Sequence, residues 1–301
     1  MDASQTESTL SQVEGGQDLS MAAMCDVMDG VMAGRFADEQ IERLLLALRR
    51  KGETVAEVAG AAAALRKHVT PIRSNRAEIL DTCGTGGDGS KTLNISTAAA
   101  FVVAAAGVPV AKHGNRAISS RSGSADVLAA LGVNIEAETA CVEACLEELG
   151  ICFCYAPLLH GAMKRVAAVR RRLAVPTIFN ILGPLANPAR ANYQLIGVGR
   201  APLRPLLAEA LAMLGTQRAV VVHGEDGMDE VTLGGATHVS SVSEGRVREL
   251  RWTPEDFGLP RCLREQLTVK GPEHSAAMIR AVLEGQRGPA RDVIVANAAA
   301  A

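Results

Sequence analysis

The chain has 301 residues, 48% of them hydrophobic and 21% charged, enough to bury a large core as one big domain or two smaller ones. Lys plus Arg number 31 against 33 Asp plus Glu, a net charge of −2, which excludes a global attraction to nucleic acid or to an anionic membrane. Any anion must therefore be held by a local site.

Residues 1–19 open as "MDASQTESTLSQVEGGQD", polar and acidic, with neither the basic start nor the apolar core of a signal peptide; they read as a disordered lead-in. Residues 20–69 read as three helices. Ser20 can cap the first, whose Met21, Met24, Met28 and Val31 follow helical spacing. Ile41, Leu44, Leu45 and Leu48 share a face of the second, which Gly52 ends, and Thr54 with Glu57 makes a capping box for the third. These stripes are packing surface, within the subunit or against a second copy.

After "TPIRSN" the pattern changes to short apolar strands alternating with helices. "EILDTC", "VPVAKHG", "ICFCYA", "YQLIGVG" and "RAVVVHG" read as strands. "STAAAFVVAAAG", "SADVLAALG" and "PLRPLLAEALAMLG" read as helices. The alternation predicts an α/β fold: a mostly parallel central sheet with helices on both faces. "THVSSVSEGRVREL" reads as a hairpin turning at Glu244-Gly245. Residues from about 158 to 190 break this rhythm and are expected to pack with the N-terminal helices. The expected organisation is a small helical domain over 20–76 and a larger α/β domain over 77–301. The longest apolar run, Ala98 to Ala111, is interrupted by Gly107 and Pro109 and falls short of the ~20 residues that span a bilayer, so a soluble cytoplasmic protein is expected. Seven cysteines suit reduced thiols, and the C-x3-C of Cys141 and Cys145 with the C-x-C of Cys152 and Cys154 matches no common zinc site.

The chemistry starts at "DTCGTGGDGSKTLNIST", residues 81–97. Gly84, Gly86 and Gly89 fit the G-x-G-x-x-G dinucleotide pattern, but no helix follows at once and the second strand ends in basic Lys112-His113 rather than an acidic residue. A P-loop fails too, because Lys91 comes one position late. What remains is a glycine loop able to point several N–H groups at one oxygen cluster, with Asn94, Ser96 and Thr97 as donors where a helix begins. "KHGNRAISSRSGSAD", residues 112–126, places Lys112, His113, Arg116 and Arg121 after the next strand. Two anion-holding loops at the carboxyl edge of one sheet suggest a ligand with two separated phosphate groups. "HGEDGMDE", residues 223–230, adds Glu225, Asp226, Asp229 and Glu230 after a third strand. Carboxylates beside phosphates imply an intervening Mg²⁺, which takes one or two carboxylates plus phosphate oxygens and water.

With these motifs in order, the chain closely resembles the anthranilate phosphoribosyltransferases, members of a fold class that includes nucleoside phosphorylases. The likeness rests on "GTGGD" at 84–88, "NIST" at 94–97, "KHGN" at 112–115, "GSADVLAALG" at 123–132, "TIFNILGPLANP" at 177–188 and "DGMDE" at 226–230. The resemblance implies transfer of a 5-phosphoribosyl group from 5-phosphoribosyl 1-diphosphate to the amine of anthranilate, a step of tryptophan biosynthesis, with Mg²⁺ and in a homodimer. By position it implies donor binding by Gly84, Gly87, Asp88, Thr92, Asn94, Ile95, Ser96, Thr97, Lys112, His113, Gly114, Asn115, Arg116, Ala117, Ile118, Ser119, Ser120 and Ser124. Gly84, Asn115 and Arg170 would meet anthranilate, Arg170 pairing with its carboxylate; Ser96, Asp229 and Glu230 would hold magnesium.

The donor carries its own leaving group, so no protein nucleophile is needed. Lys112 and the metal would stabilise the departing diphosphate; His113 and His160 are the candidates for a general base. Two positions depart from the family pattern: Ala174 where a glycine is usual, and Gly161 where a proline commonly follows His160. "RDVIVANAAAA" reads as the opening of a helix that the family normally continues for a few dozen residues. The nearest rival, a pyrimidine nucleoside phosphorylase, would use free phosphate without the acidic pair. A non-catalytic nucleic-acid-binding homologue would be basic and would have lost the motifs.

Overall fold

A computed structural model describes residues 3–117 and 121–301. Four helices come first: α1 (Ala3–Glu14), α2 (Met21–Met32), α3 (Asp38–Lys51) and α4 (Val55–His68). The predicted caps are present. Ser20 accepts the Ala23 N–H, and Thr54 and Glu57 exchange side-chain bonds with each other's backbone N–H. Glu57 is fully buried, and its carboxylate also accepts from the Leu19 N–H at 3.0 Å and the Lys51 ammonium at 2.7 Å. One buried carboxylate thus ties the start of α4 to the ends of α3 and of the segment before α2.

The opening residues are not a disordered lead-in. Residues 3–14 form α1, because Leu10 and Val13, three apart, bury completely in the helical core. Arg43 of α3 grips Glu14 with two bonds of 2.8 and 2.9 Å and Glu7 with one of 2.6 Å. A twelve-residue helix is marginal alone, and tertiary packing supplies the missing stability. Met1 and Asp2 lie outside the described residues.

From residue 80 the chain alternates as expected: β1 (Leu80–Gly84), α5 (Ile95–Ala105), β2 (Val110–Gly114), α6 (Ser124–Ala130), α7 (Thr139–Leu149), β3 (Ile151–Tyr155), α8 (Ala156–Leu159), α9 (Met163–Leu173), α10 (Phe179–Leu182), β4 (Tyr193–Gly197), α11 (Leu203–Met213) and β5 (Arg218–Gly224). The hairpin β6 (Thr237–Ser243) and β7 (Arg246–Trp252) follows, then α12 (Pro272–Leu283) and α13 (Pro289–Ala300). The sheet order is β3-β2-β1-β4-β5-β6-β7, parallel through β5 and antiparallel at β6 and β7. Glu244 and Gly245 both have positive φ, 52° and 70°, as a tight two-residue hairpin requires. Helix α9 packs on α2 and α3, and α11 bridges α4 to the sheet. One apolar core accordingly runs from Leu10 through Leu48 and Val169 to Val221 and Val242. A second, around Val222, Met228, Ile279 and Val293, lies under α12 and α13.

Candidate active site

β1 lies between β2 and β4 in the sheet, and the strand order reverses there, which opens a crevice beyond the carboxyl ends of the strands. A cavity of about 800 Å³ fills it. Every residue carried over from the family pattern lines this cavity except Ile95, whose side chain is fully buried in the second core, and Ile118, Ser119 and Ser120, which lie outside the described residues.

Gly86, Gly87 and Gly89 have φ of 65°, 79° and 68°, left-handed backbone that L side chains rarely adopt, so these glycines set the loop's curvature. Two others permit close approach: a Cβ on Gly84 would lie 2.8 Å from Asp229 Oδ2, and one on Gly197 only 1.6 Å from the Asp229 carbonyl. Those contacts hold Asp229 against the ends of β1 and β4.

The four acidic residues of the 223–230 loop separate into two pairs. Glu225 accepts from the Ala236 N–H, and Asp226 accepts from the Thr232 hydroxyl at 2.6 Å; both close the loop on itself. Asp229 and Glu230 turn into the cavity. The Ser96 N–H, in the first turn of α5, donates to Glu230 Oε1 at 3.0 Å, so the positive end of that helix holds a carboxylate. Asp88 reaches the same corner and leaves Oδ2 buried without a partner. Desolvation raises both Asp229 and Glu230 above the usual carboxylate range; Asp88 and Glu230 push Asp229 further, whereas Lys112 and the Ser96 N–H pull Glu230 back. Lys112 is itself buried, its ammonium donating to the Thr82 carbonyl and to Ser96 Oγ at 3.2 Å, and burial lowers its pKa.

The other end of the cavity is arranged differently. His113 Nδ1 lies 3.1 Å from the Gly183 carbonyl and must donate to it, so its Nε2 accepts. His160 Nε2, 3.0 Å away, is then the donor of that pair, and His160 Nδ1 is left buried as an acceptor without a partner. Burial drives His113 down to about 3, with His160 adding to the effect, and His160 to about 4. Both rings are neutral at physiological pH. Arg170, on α9, has no carboxylate partner among the described residues; its guanidinium lies 5.5 Å from the centre of the Phe179 ring, and burial lowers its pKa. The Ala174 N–H closes α9 by donating to the Arg170 carbonyl, at the cost of a left-handed φ of 52°. At Gly161 an added Cβ would meet nothing within 4 Å.

Sequence reasoning passed over Phe179, Asn180, Met163 and Lys164, which line the same end. It also passed over Arg200, after β4. No charge pattern marks the apolar members; only their place on α9 and α10 brings them to the cavity.

The sequence pattern described as "Glycosyl transferase family, a/b domain" matches residues 76–301, and that of the "Glycosyl transferase family, helical bundle domain" matches residues 8–69. The chain is 50% identical over 290 residues to the anthranilate phosphoribosyltransferase of Moorella thermoacetica, covering 96% of this chain and 86% of that protein. It is 54% identical over 286 residues to the one from Anaeromyxobacter dehalogenans, covering 95% and 85%. Among solved structures, anthranilate phosphoribosyltransferase from Thermus thermophilus superposes with a TM-score of 0.90 at 44% identity, covering 97% of this chain and 87% of that one. The Saccharomyces cerevisiae enzyme in complex with PRPP and Mg superposes with a TM-score of 0.88 at 28% identity, covering 99% and 88%.

Proposed function

The chain belongs to the anthranilate phosphoribosyltransferase family and transfers a 5-phosphoribosyl group from 5-phosphoribosyl 1-diphosphate to the amine of anthranilate, and we propose that the two ends of this cavity divide the substrates between them. The observation that carries this reading is the convergence of Asp88, Asp229, Glu230, Lys112 and the glycine loop at one sheet edge. Three carboxylates meet a single ammonium there, so the negative charge is only partly compensated within the protein.

The donor takes the glycine end. N–H groups of residues 86–89 face its diphosphate, and Ser96 and Thr97, the latter with a buried Oγ1 that lacks a partner, face its phosphoribosyl part. Among the described residues no three Asp, Glu, His or Cys side chains converge to hold a metal by themselves. That fits an ion shared with a phosphorylated substrate. The donors are hard oxygens, and Asp88 Oδ2 is buried and unsatisfied beside them. Asp229 and Glu230, with Ser96, would hold Mg²⁺ together with the donor's diphosphate, where it supplies positive charge against the leaving oxygens. Lys112 is fixed by Thr82 and Ser96, so its charge is in place before the bond to the ribose C1 breaks.

Anthranilate takes the other end. Arg170 offers its carboxylate a planar pair of N–H donors, and the neutral His113–His160 pair and Phe179 wall the ring. Its amine, held in line with C1, attacks as diphosphate leaves. An arylamine that has given its lone pair to carbon is strongly acidic, so no strong base is required. This accords with two histidines whose pKa values of about 3 and 4 make them poor proton acceptors.

Mixing the protein with anthranilate, the donor and Mg²⁺ tests the reading through the fluorescence of anthranilate. Consumption that requires all three supports it; no change under any order of addition removes it. The helical domain, whose α3 leaves Leu46 42% exposed, is the face we assign to a homodimer. Scattering-detected gel filtration checks that assignment. None of the seven cysteines is paired in a disulfide, and among the described residues no helix is long and apolar enough to cross a membrane.

A further inference from the structure

Both donor-facing loops are fastened to the same distant segment, residues 267–275. The Leu93 N–H donates to the Leu267 carbonyl and the Val269 N–H to the Lys91 carbonyl, both at 2.9 Å, with Thr92 and Thr268 paired as an antiparallel bridge. The second loop is tied to it by Arg121, whose guanidinium donates to the Val269 carbonyl at 3.0 Å. At its end stands Ser275, fully buried in the first turn of α12. The Asn94 N–H donates to Ser275 Oγ at 3.0 Å, and Ser275 Oγ donates to Asn94 Oδ1 at 2.8 Å. The rest of the Asn94 amide serves the other loop: Oδ1 accepts from the Ser122 hydroxyl at 2.8 Å and Nδ2 donates to the Ser122 carbonyl at 3.1 Å. The Asn94 carboxamide oxygen and one of its two Nδ2 N–H donors are therefore engaged within the protein, on Ser275 and Ser122, although Asn94 sits on the cavity wall.

We infer that Ser275 is a positioning residue for the phosphoribosyl donor: through Asn94 it locks the glycine loop to the basic loop, and the 267–275 strap sets the separation at which the two loops meet the two phosphate ends of one molecule. Neither Ser275 nor the strap touches the cavity, and no local pattern around "LTVKGPEHS" advertises the role. The strap matters because a ligand with two phosphate groups binds well only when both anion sites are held at the right spacing beforehand; a loop free to drift must be ordered at the ligand's expense. A buried hydroxyl that accepts one bond from Asn94 and returns another fixes that amide, and with it both loops, without adding charge.

The inference rests on assigning residues 84–97 and 112–124 to the donor, so the experiment includes a control for that assignment. Steady-state kinetics of Ser275→Ala, Asn94→Ala, their double variant and Asp229→Asn are measured with donor and anthranilate varied in turn, alongside melting temperatures. Ser275→Ala leaves Asn94 with an unpaired N–H and is expected to raise the donor KM about five- to fifty-fold, with the anthranilate KM changed less than about twofold. In the Asn94→Ala background the same substitution is expected to add little, because the two act as one unit. A fall in melting temperature with the donor KM unmoved, an equal rise in both KM values, or full additivity with Asn94→Ala overturns the inference. If Asp229→Asn also leaves donor binding unmoved, the fault lies in the assignment of the loops; if Asp229→Asn weakens donor binding and Ser275→Ala does not, it lies in the strap.

Discussion

The two ends of the cavity handle charge in opposite ways. At the glycine end, Asp88, Asp229 and Glu230 crowd beside one buried ammonium, and desolvation holds both Asp229 and Glu230 above their ordinary range. At the α9 end, two histidines are kept neutral by burial and a single guanidinium rests near an aromatic face. The first end stores an electrostatic cost that a cation and a polyanion relieve together. The second is already relaxed and waits for one carboxylate. Tight, cation-dependent binding is expected of the first, and shape and a single ion pair at the second.

The sharpest way to break this contrast is to neutralise the crowded end. Asp229→Asn with Glu230→Gln is expected to reduce turnover by about a thousandfold or more, since it removes the groups that place charge against the leaving diphosphate. The same change relieves like-charge repulsion, so the ligand-free variant is expected to melt at the wild-type temperature or above it. Magnesium with the donor should raise the melting temperature of the wild type and not of the variant. Near-normal turnover would remove the division of labour altogether.

The next test acts on the relaxed end. Arg170→Ala is expected to raise the anthranilate KM about thirty- to a hundredfold, the worth of a charge-assisted pair, with the donor KM moved far less. Equal rises would show that the two ends are not separate.

A third test uses pH. His113 and His160 are neutral in the folded protein with pKa values of about 3 and 4, below the 6.5 of an exposed imidazole, so the unfolded chain binds more protons at intermediate pH. Stability is full above about pH 6.5 and falls as the pH drops below it, by roughly 2 kcal/mol at pH 5 for His160 alone. His160→Gln keeps a donor for His113 Nε2 and does not titrate; its melting temperature should fall less steeply between pH 6.5 and 5. An unchanged slope would show that the pair is not held neutral.

The smallest effect is expected at Ala174, exposed and left-handed at the end of the helix that carries Arg170. Ala174→Gly is expected to stabilise the protein by about 0.5–1 kcal/mol, read by denaturant unfolding. A destabilised variant would mean that the Cβ packs against something the backbone angle does not reveal.

Much of this molecule could be read from runs of a few residues. The Thr54–Glu57 box, the turn at Glu244-Gly245, the glycine curvature at 86–89 and the alternation of strands with helices are all local, and local sterics and period determine them. So is the family pattern, whose glycine, basic and acidic motifs lie on loops that follow strands while the other motifs fall on α5, α6 and α10. Tertiary structure decided the rest. Nothing around Leu10 and Val13 promised a helix until α3 covered them. The loop at 223–230 offered four equivalent carboxylates, and only the fold sent Glu225 and Asp226 to brace it and Asp229 and Glu230 to the cavity. The tautomers of His113 and His160 follow from the carbonyl of Gly183, 70 positions beyond His113 in the chain. Asn94 reads as a ligand donor in sequence, yet its partner Ser275 lies 181 residues later. Turn chemistry and hydrophobic period are encoded between near neighbours; which distant polar group meets which is encoded by packing, and there the chain alone leaves the choice open.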